Sequence, residues 1–328
     1  MMAAVSLQTP FTDRFGLDHP IALAPMGDCA GGALAAAVCE GGGLGLIGGG
    51  RADRDWLARE VAVVTERTQK PWGIGLLTWA MDQDTVAWVI EQGPAAINLA
   101  FGDPTPYAEQ IKSAGIDLII AVTTLDEARR ALDLGADLLV AQGGEAGGHI
   151  GSRTTATLPL VPMVVDLAGD VPVLAAGGIA DGRGLAACLM LGAAGAMIGT
   201  RFQATGEAIL TPETAQVMLQ AQAADTEVNR TLDIARRSPW PAAYPARTLR
   251  NSYLDRWRDK GESLPEFPEA MREFAEAEAG EDLDVVPIWV GQDIGLITTI
   301  EPAADLVGRI GDEAAASIRA YAVQAAER

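Results

Sequence analysis

Only two histidines occur in the 328-residue chain, and His149 stands where residue types and spacing could do chemistry. It lies in the segment 141–151, AQGGEAGGHIG, directly after an apolar run typical of a strand. Five glycines in eleven residues are not explained by packing, since glycine has no side chain, so the loop needs positive φ angles or close approach to a ligand. Imidazole exchanges protons near neutral pH, so this loop is predicted to carry an active site in which His149 is the one side chain able to exchange protons.

The elements that must position this loop follow a regular rhythm. Apolar runs begin every 20 to 34 residues and are separated by helical patterns, many of which end at a glycine. Eight βα units close a barrel, so we predict an α/β fold of the (βα)8 TIM-barrel type. The alternative, a doubly wound open sheet, lacks the Gly-x-Gly-x-x-Gly turn after the first strand. The runs begin at about residues 21, 44, 71, 95, 117, 137, 171 and 194.

The regular alternation of apolar runs and helical patterns ends after Phe202. The chain is therefore predicted to have three parts. Residues 1–205 form the barrel with its eight strands, 206–290 a helical insertion between the eighth strand and the last helix, and 291–328 the return to the barrel and its final helix. The insertion holds aromatic and proline residues that suit two roles, a lid over the active site or a contact in a homodimer.

Composition excludes several classes of partner. A net charge of -20 repels the phosphates of nucleic acids and anionic membrane surfaces. No signal peptide or membrane-spanning run is recognised, so a cytoplasmic protein is expected. The three cysteines form neither a disulfide framework nor a metal pattern, and Cys39 and Cys188 are predicted to be buried on helices.

Two further glycine loops follow the predicted seventh and eighth strands. They contain Gly177 and Gly178 in AAGGIADG, and Gly199 and Thr200 in MIGTRF. In TIM barrels these two loops commonly bind phosphate, because backbone N–H groups converge on its oxygens and a hydroxyl can add a donor. Arg201 could pair with that phosphate or with a surface carboxylate.

Together, these segments resemble the nitronate monooxygenases, formerly called 2-nitropropane dioxygenases, which are FMN-dependent barrels. The resemblance also includes Ala24-Pro25-Met26, residues 34–45 and residues 291–297, and so extends over nearly the whole chain. It implies that His149 stands beside the isoalloxazine and the substrate. The residues implied to bind FMN are Pro25, Met26, Gln142, Gly147, Gly177, Gly178, Gly199 and Thr200.

The chain departs from the family pattern at two places. Gly75 stands in the third strand where the family often has Asn, and the fourth strand, 98–102, lacks the histidine that some members carry. These departures affect one flavin contact and part of the substrate pocket.

The resemblance implies oxidation of an alkyl nitronate by FMN and dioxygen to a carbonyl compound and nitrite. His149 would act as a base on a neutral nitroalkane, or as a cation or hydrogen-bond donor that holds the nitronate oxygens. Glu145 would orient a neighbour or face water. No metal is implied.

Two other functions remain open on the sequence. One is an NAD(P)H-dependent FMN reductase of quinones or enoyl thioesters, and the other is a non-catalytic barrel that binds a flavin or another phosphate ligand. A Schiff-base aldolase is not favoured, because no lysine follows a predicted strand. A metal hydrolase is not favoured either, because His19 precedes the first strand and so lies at the end of the barrel opposite His149, where a structural hydrogen bond is expected.

Overall fold

A computed structural model describes residues 7–326 of the chain. Residues 1–6, part of the N-terminus predicted to carry no signal peptide, and residues 327–328, at the end of the predicted last segment, lie outside the described residues. The strands are β1 (Ile21–Leu23), β2 (Gly45–Gly48), β3 (Trp72–Leu77), β4 (Ala96–Ala100), β5 (Asp117–Val122), β6 (Leu138–Gln142), β7 (Gly148–His149), β8 (Val173–Ala176), β9 (Gly195–Ile198), β10 (Thr226–Asn229) and β11 (Ala246–Leu249).

Eight of these strands are parallel and form one sheet in the order β1-β9-β8-β6-β5-β4-β3-β2. Ala22 in β1 pairs in parallel with Leu44, directly before β2, and this bridge closes the sheet. Each predicted apolar run contains one of the eight strands. The predicted TIM barrel is therefore confirmed.

Burial on both faces explains why the strands are so apolar. Every residue of β1, β2, β8 and β9 is buried. One core cluster fills the barrel, and a larger one lies between the strands and the outer helices. Phe11 and Phe15 pack with Ala22 and Leu174 in the inner cluster, so the first helix closes the N-terminal end of the barrel. Functional groups must therefore lie at the other end.

The outer helices agree with the helical patterns of the sequence to within about two residues at their ends. One helix, Thr157–Ala168, was not predicted, because Pro159 and Pro162 argue against a helix. Cys39 and Cys188 are buried on helices, as predicted. The helices are α1 (Pro10–Phe15), α2 (Gly32–Glu40), α3 (Arg54–Arg67), α4 (Gln83–Glu91), α5 (Thr105–Ser113), α6 (Leu125–Asp133), α7 (Thr157–Ala168), α8 (Gly182–Met190), α9 (Thr200–Gln203), α10 (Pro212–Gln220), α11 (Thr231–Ala235), α12 (Ser252–Trp257), α13 (Pro268–Ala279) and α14 (Ala303–Ala326).

The segment 206–290, predicted to be helical, contains α10 to α13 and also two strands that the sequence analysis missed. β10 and β11 pair in the antiparallel direction, and β11 pairs in turn with β7 of the histidine loop. Strands of four residues are too short to produce a clear alternating pattern, which is why the sequence indicated only the helices of this insertion. The domain boundaries themselves stay a prediction.

The long helix α14 packs against α8 and α2, which is the position of the eighth barrel helix. Gly41 allows this packing, because a Cβ there would lie 2.6 Å from the carbonyl oxygen of Ala304. Across residues 7–326, no helix combines the length and apolar character needed to span a membrane.

Candidate active site

All nine predicted site residues lie at the C-terminal ends of barrel strands or in the loops that follow them. Eight are only partly buried or exposed, and Thr200 alone is fully buried. Backbone and side chains at this end of the barrel are thus open to a ligand. Pro25 and Met26 follow β1, Gln142 ends β6, Gly147 and His149 belong to the next loop, Gly177 and Gly178 follow β8, and Gly199 and Thr200 follow β9.

The imidazole of His149 is held on several sides. β7 pairs with β11 at Ala246, and the amide of Gln142 donates a 3.0 Å hydrogen bond to the carbonyl of His149. The Nε2 atom lies 2.9 Å from Oδ2 of Asp233, and the ring stacks on Trp240 with centroids 3.4 Å apart and planes 9° from parallel. The side chain keeps only 10% of its surface exposed. Its position and orientation are therefore well defined.

Burial lowers the pKa of His149 below the usual 6.5. Asp233 opposes this by its hydrogen bond and its charge, while the charges of Arg236 and Arg230 lower the pKa further. Desolvation is the largest of these causes, so the ring is neutral at pH 7.

Asp233 is the main residue that the sequence analysis did not find. It lies on α11 in the insertion, 84 positions after His149, and its side chain is only 2% exposed. No motif surrounds it, and one acidic residue among 44 gives no signal.

An aromatic cluster covers the histidine, and it too was only partly foreseen. The sequence analysis noted aromatic residues in the insertion, but not that they contact the barrel. The ring centroid of Trp240 lies 5.0 Å from that of Trp79 and 5.3 Å from that of Phe101. The centroids of Phe101 and Tyr244 are also 5.3 Å apart. Phe101 adopts a left-handed φ of 60°, a costly conformation for a bulky residue that is often found at functional sites. Aromatic rings from both the barrel and the insertion therefore cover the site.

The glycine loops come together as their spacing suggested. Gly177 and Gly178 have φ angles of 100° and 77°, and a Cβ on Gly177 would lie 3.0 Å from the nitrogen of Ala146. A Cβ on Gly199 would lie 3.5 Å from the sulfur of Met26. The loops after β1, β6, β8 and β9 therefore border one site.

Gly147 and Thr200 have structural partners of their own at residues 290 and 291, where the insertion ends and the chain returns to the barrel. A Cβ on Gly147 would lie 2.4 Å from the carbonyl carbon of Val290, and the N–H of Gly291 donates a 2.9 Å hydrogen bond to the Thr200 hydroxyl. The hydroxyl retains its own proton for a ligand. Close packing thus accounts for the glycine at 147, and its contact with a flavin stays a prediction.

Arg201 pairs with a carboxylate, one of the two expectations for it. Its guanidinium, 3% exposed, forms an ion pair with Glu301 and donates a 3.0 Å hydrogen bond to the carbonyl of Thr299. Burial is the main reason why the pKa of Arg201 is lowered. This arginine connects the start of α9 to residues 299–301 of the segment that returns to the barrel.

Glu145 orients a neighbour, one of the two expectations for it. Its Oε2 atom accepts hydrogen bonds of 2.8 and 3.0 Å from the backbone nitrogen and hydroxyl of Thr157 at the start of α7. The contacts fix the loop rather than leave a carboxylate for catalysis.

The departure at Gly75 has a geometric explanation. A Cβ at this position would lie 2.2 Å from the ring of Pro25, so a larger residue does not fit. The register places Asn98 of β4 directly beside Gly75. Asn98 is 2% exposed, and its Oδ1 finds no hydrogen-bond partner within residues 7–326. The buried amide oxygen of Asn98 therefore has no hydrogen-bond donor among the described residues, which leaves it free for a ligand.

A closed barrel with glycine loops after its seventh and eighth strands, and with His149 at the same end, defines the class of TIM-barrel enzymes with a candidate phosphate-binding site. The chain belongs to the nitronate monooxygenase family, whose profile matches residues 8–87 and 78–313. It is therefore an enzyme of the oxidoreductase class.

Individual relatives carry two different names. The chain is 35% identical to the (3aS,4S,5R,7aS)-5-hydroxy-7a-methyl-1-oxo-octahydro-1H-indene-4-carboxyl-CoA dehydrogenase of Mycobacterium tuberculosis, over 81% of this chain and 72% of that protein. It is 33% identical to the nitronate monooxygenase of Neurospora crassa, over 90% and 89% of the two chains. The structure of FabK from Thermotoga maritima superposes with a TM-score of 0.84 at 32% identity, covering 97% of this chain and 99% of that one.

Proposed function

We propose that this enzyme oxidises nitroalkanes or their nitronate anions with bound FMN and dioxygen, giving a carbonyl compound and nitrite. The observation that carries the proposal is the imidazole of His149, 10% exposed and 2.9 Å from the carboxyl of Asp233, at the end of the barrel that holds the glycine loops. Family membership and the Neurospora crassa relative support it. A bound FMN would accept the electrons of the substrate and pass them to dioxygen.

The residues that would hold FMN are those predicted from the sequence, with one addition. The backbone of Gly177, Gly178 and Gly199 would approach the phosphate closely, and the Thr200 hydroxyl would donate to it. The unpartnered Oδ1 of Asn98 fits a ring N–H of the flavin. Asn98 would thus provide, from β4, the amide that the family often has at the position of Gly75. Pro25, Met26, Gln142 and Gly147 would complete the cofactor site.

The environment of His149 favours one of its two expected roles. A neutral imidazole is a proton acceptor, and it cannot attract a nitronate anion by charge. Removal of a proton from the carbon next to a nitro group is therefore the role that this site supports best. Exclusion of water by the aromatic cluster strengthens the interactions within the site.

A second candidate is dehydrogenation of an acyl-CoA thioester, favoured by the name of the Mycobacterium tuberculosis relative. The carbon next to a thioester carbonyl is also acidic, so His149 would perform the same proton transfer. The two candidates differ in the group that accepts negative charge, and nitrite is formed from the nitro compound alone.

The test begins with the absorption spectrum of the purified protein and identification of the flavin released from it by acid. The protein is then mixed anaerobically with ethyl nitronate, with an acyl-CoA and with NADH in separate experiments. We expect FMN, bleaching by the nitronate, and nitrite after oxygen is admitted. Bleaching by NADH or the thioester, with no nitrite from any nitro compound, would overturn the proposal.

A further inference from the structure

The carboxyl of Asp233 reaches His149 from an element outside the barrel. α11 is fixed by its neighbours in the sequence: Leu232 and Ala235 are buried in a cluster of the insertion that includes Tyr253 and Phe274. The carbonyl of Asp233 also accepts a hydrogen bond from the backbone nitrogen of Ser238. The carboxyl is therefore held in place by the insertion, independently of the histidine.

The Asp233 contact determines which nitrogen of the ring carries the proton. A carboxylate only accepts hydrogen bonds, so at 2.9 Å the Nε2 atom of His149 must be the donor. A neutral imidazole has a single N–H, and Nδ1 is then left with a lone pair. The second oxygen of Asp233, Oδ1, is buried with no hydrogen-bond partner among residues 7–326, so the imidazole is the chief partner of this carboxyl.

We propose that Asp233 is a positioning residue that keeps the proton on Nε2 of His149 and so makes Nδ1 the base that deprotonates a carbon acid. In that step the C–H bond breaks and an N–H bond forms at Nδ1. The electron pair of the C–H bond moves onto the nitro group, which yields the nitronate. The imidazolium that results is stabilised by the adjacent carboxylate, and its proton later returns to solvent. The choice of a nitro compound rests on the proposed function, whereas the tautomer does not.

The charges that face the ring are Asp233, Arg236 and Arg230, all contributed by the insertion. Each arginine has a carboxylate near it: Arg230 pairs with Glu262 at 2.7 Å, and Arg236 lies 3.8 Å from Glu278. Asp233 is thus the carboxylate in direct contact with the imidazole, and its replacement by Asn should lower the pKa of His149.

The first measurement is nitrogen NMR of the flavin-loaded enzyme with labelled histidine. With only two histidines in the chain, a His19→Gln variant assigns both rings. We expect neutral His149 to carry its proton on Nε2 in the wild type and to lose this preference in Asp233→Asn. The exposed Asp259→Asn in the same insertion is the matched control and should leave the ring unchanged. A proton on Nδ1 in the wild type would overturn the inference without the need for any variant.

The second measurement is the rate of anaerobic flavin reduction. For neutral nitroethane, Asp233→Asn should be slower by about 100-fold, the lower end of what general bases contribute, and its rate should rise at lower pH than in the wild type. For preformed ethyl nitronate, which needs no base, the rate should be nearly unchanged. Equal losses with both substrates would contradict a positioning role. If neither substrate reduces the wild-type flavin, the proposed function fails, and the NMR result still decides the role of Asp233.

Discussion

The ring of His149 lies nearly parallel to that of Trp240, with centroids 3.4 Å apart, so a residue of the insertion shields from water the imidazole that we propose as the catalytic group. This contact joins two parts of the chain that are 91 positions apart. Shielding is also the chief cause of the lowered pKa of His149, which makes the contact directly testable.

Trp240→Ala should raise the pKa of His149 towards its ordinary value, because the ring becomes hydrated and desolvation is the largest cause of the shift. The loss of the stacked pair should also lower the free energy of unfolding by about 1 kcal/mol. NMR titration of His149 checks the first effect and urea denaturation the second. Trp240→Phe retains a stacked ring and should change both quantities less. An unchanged titration in the alanine variant would show that Trp240 does not shield the imidazole.

Asp293→Asn should stabilise the protein at neutral pH. Burial raises the pKa of Asp293 to about 6, so its charged form is unfavourable in the folded state. The native state then binds more protons than the unfolded state between the ordinary pKa of 3.8 and about 6, and wild-type stability falls as the pH rises through that window. Above this pH window, the charged carboxylate lowers the free energy of unfolding of the wild type by about 3 kcal/mol, at 1.36 kcal/mol per pKa unit.

Urea denaturation of the flavin-free protein, at pH 4 and at pH 7.5, tests this. The free energy of unfolding of the variant should exceed that of the wild type at pH 7.5, and the two values should be nearly equal at pH 4. A variant that is less stable at both values would mean that the carboxylate makes a favourable contact.

Removal of Glu301 should cost more stability than removal of Arg201. Glu301→Gln leaves the 3% exposed guanidinium of Arg201 without its counter-charge, at a cost of about 3 to 5 kcal/mol. Arg201→Met leaves a carboxylate that is 21% exposed and still pairs with Arg309 at 2.9 Å. Flavin affinity should survive Arg201→Met, since this guanidinium is already paired with Glu301 and with the carbonyl of Thr299. Denaturation curves of both variants measure the loss of stability, and flavin titrations measure the affinity. A large loss of affinity in Arg201→Met would mean that Arg201 contributes to phosphate binding after all.

Gly147→Ala should weaken flavin binding through a displaced backbone. A Cβ at 2.4 Å from the carbonyl carbon of Val290 must push that segment away, and the hydrogen bond from Gly291 to Thr200 would then lengthen. Gly206→Ala meets no atom within 4 Å and is the control. The dissociation constant of FMN, measured by fluorescence, should rise in the first variant alone. Equal affinities would show that the loop adapts without cost.

The barrel could be predicted because each strand is buried on both faces and therefore reads as an apolar run. Gly177 and Gly178 could be found because their loop positions follow from the strand count, and their positive φ angles agree with glycine. His149 was recognisable as the one proton-exchanging side chain in a glycine-dense loop.

Residues brought in by the insertion could not be found in the same way. Asp233 contacts His149 across segments that are distant in sequence, and neither the type nor the spacing of Asp233 predicts this contact. The pairing of β11 with β7 depends on a partner strand of two residues, too short to show any alternation. The partner of Arg201 is Glu301, 100 positions later in the segment that returns to the barrel, so sequence spacing could not choose between phosphate and carboxylate.

The central claim is that His149 removes a proton from a carbon acid, and the most direct measurement is anaerobic flavin reduction in His149→Asn with two forms of one substrate. We predict that neutral nitroethane reduces the flavin of the variant more slowly than that of the wild type, by a factor of about 100 or more. Preformed ethyl nitronate should reduce both at similar rates. A variant that is reduced by neutral nitroethane as fast as the wild type would contradict the account.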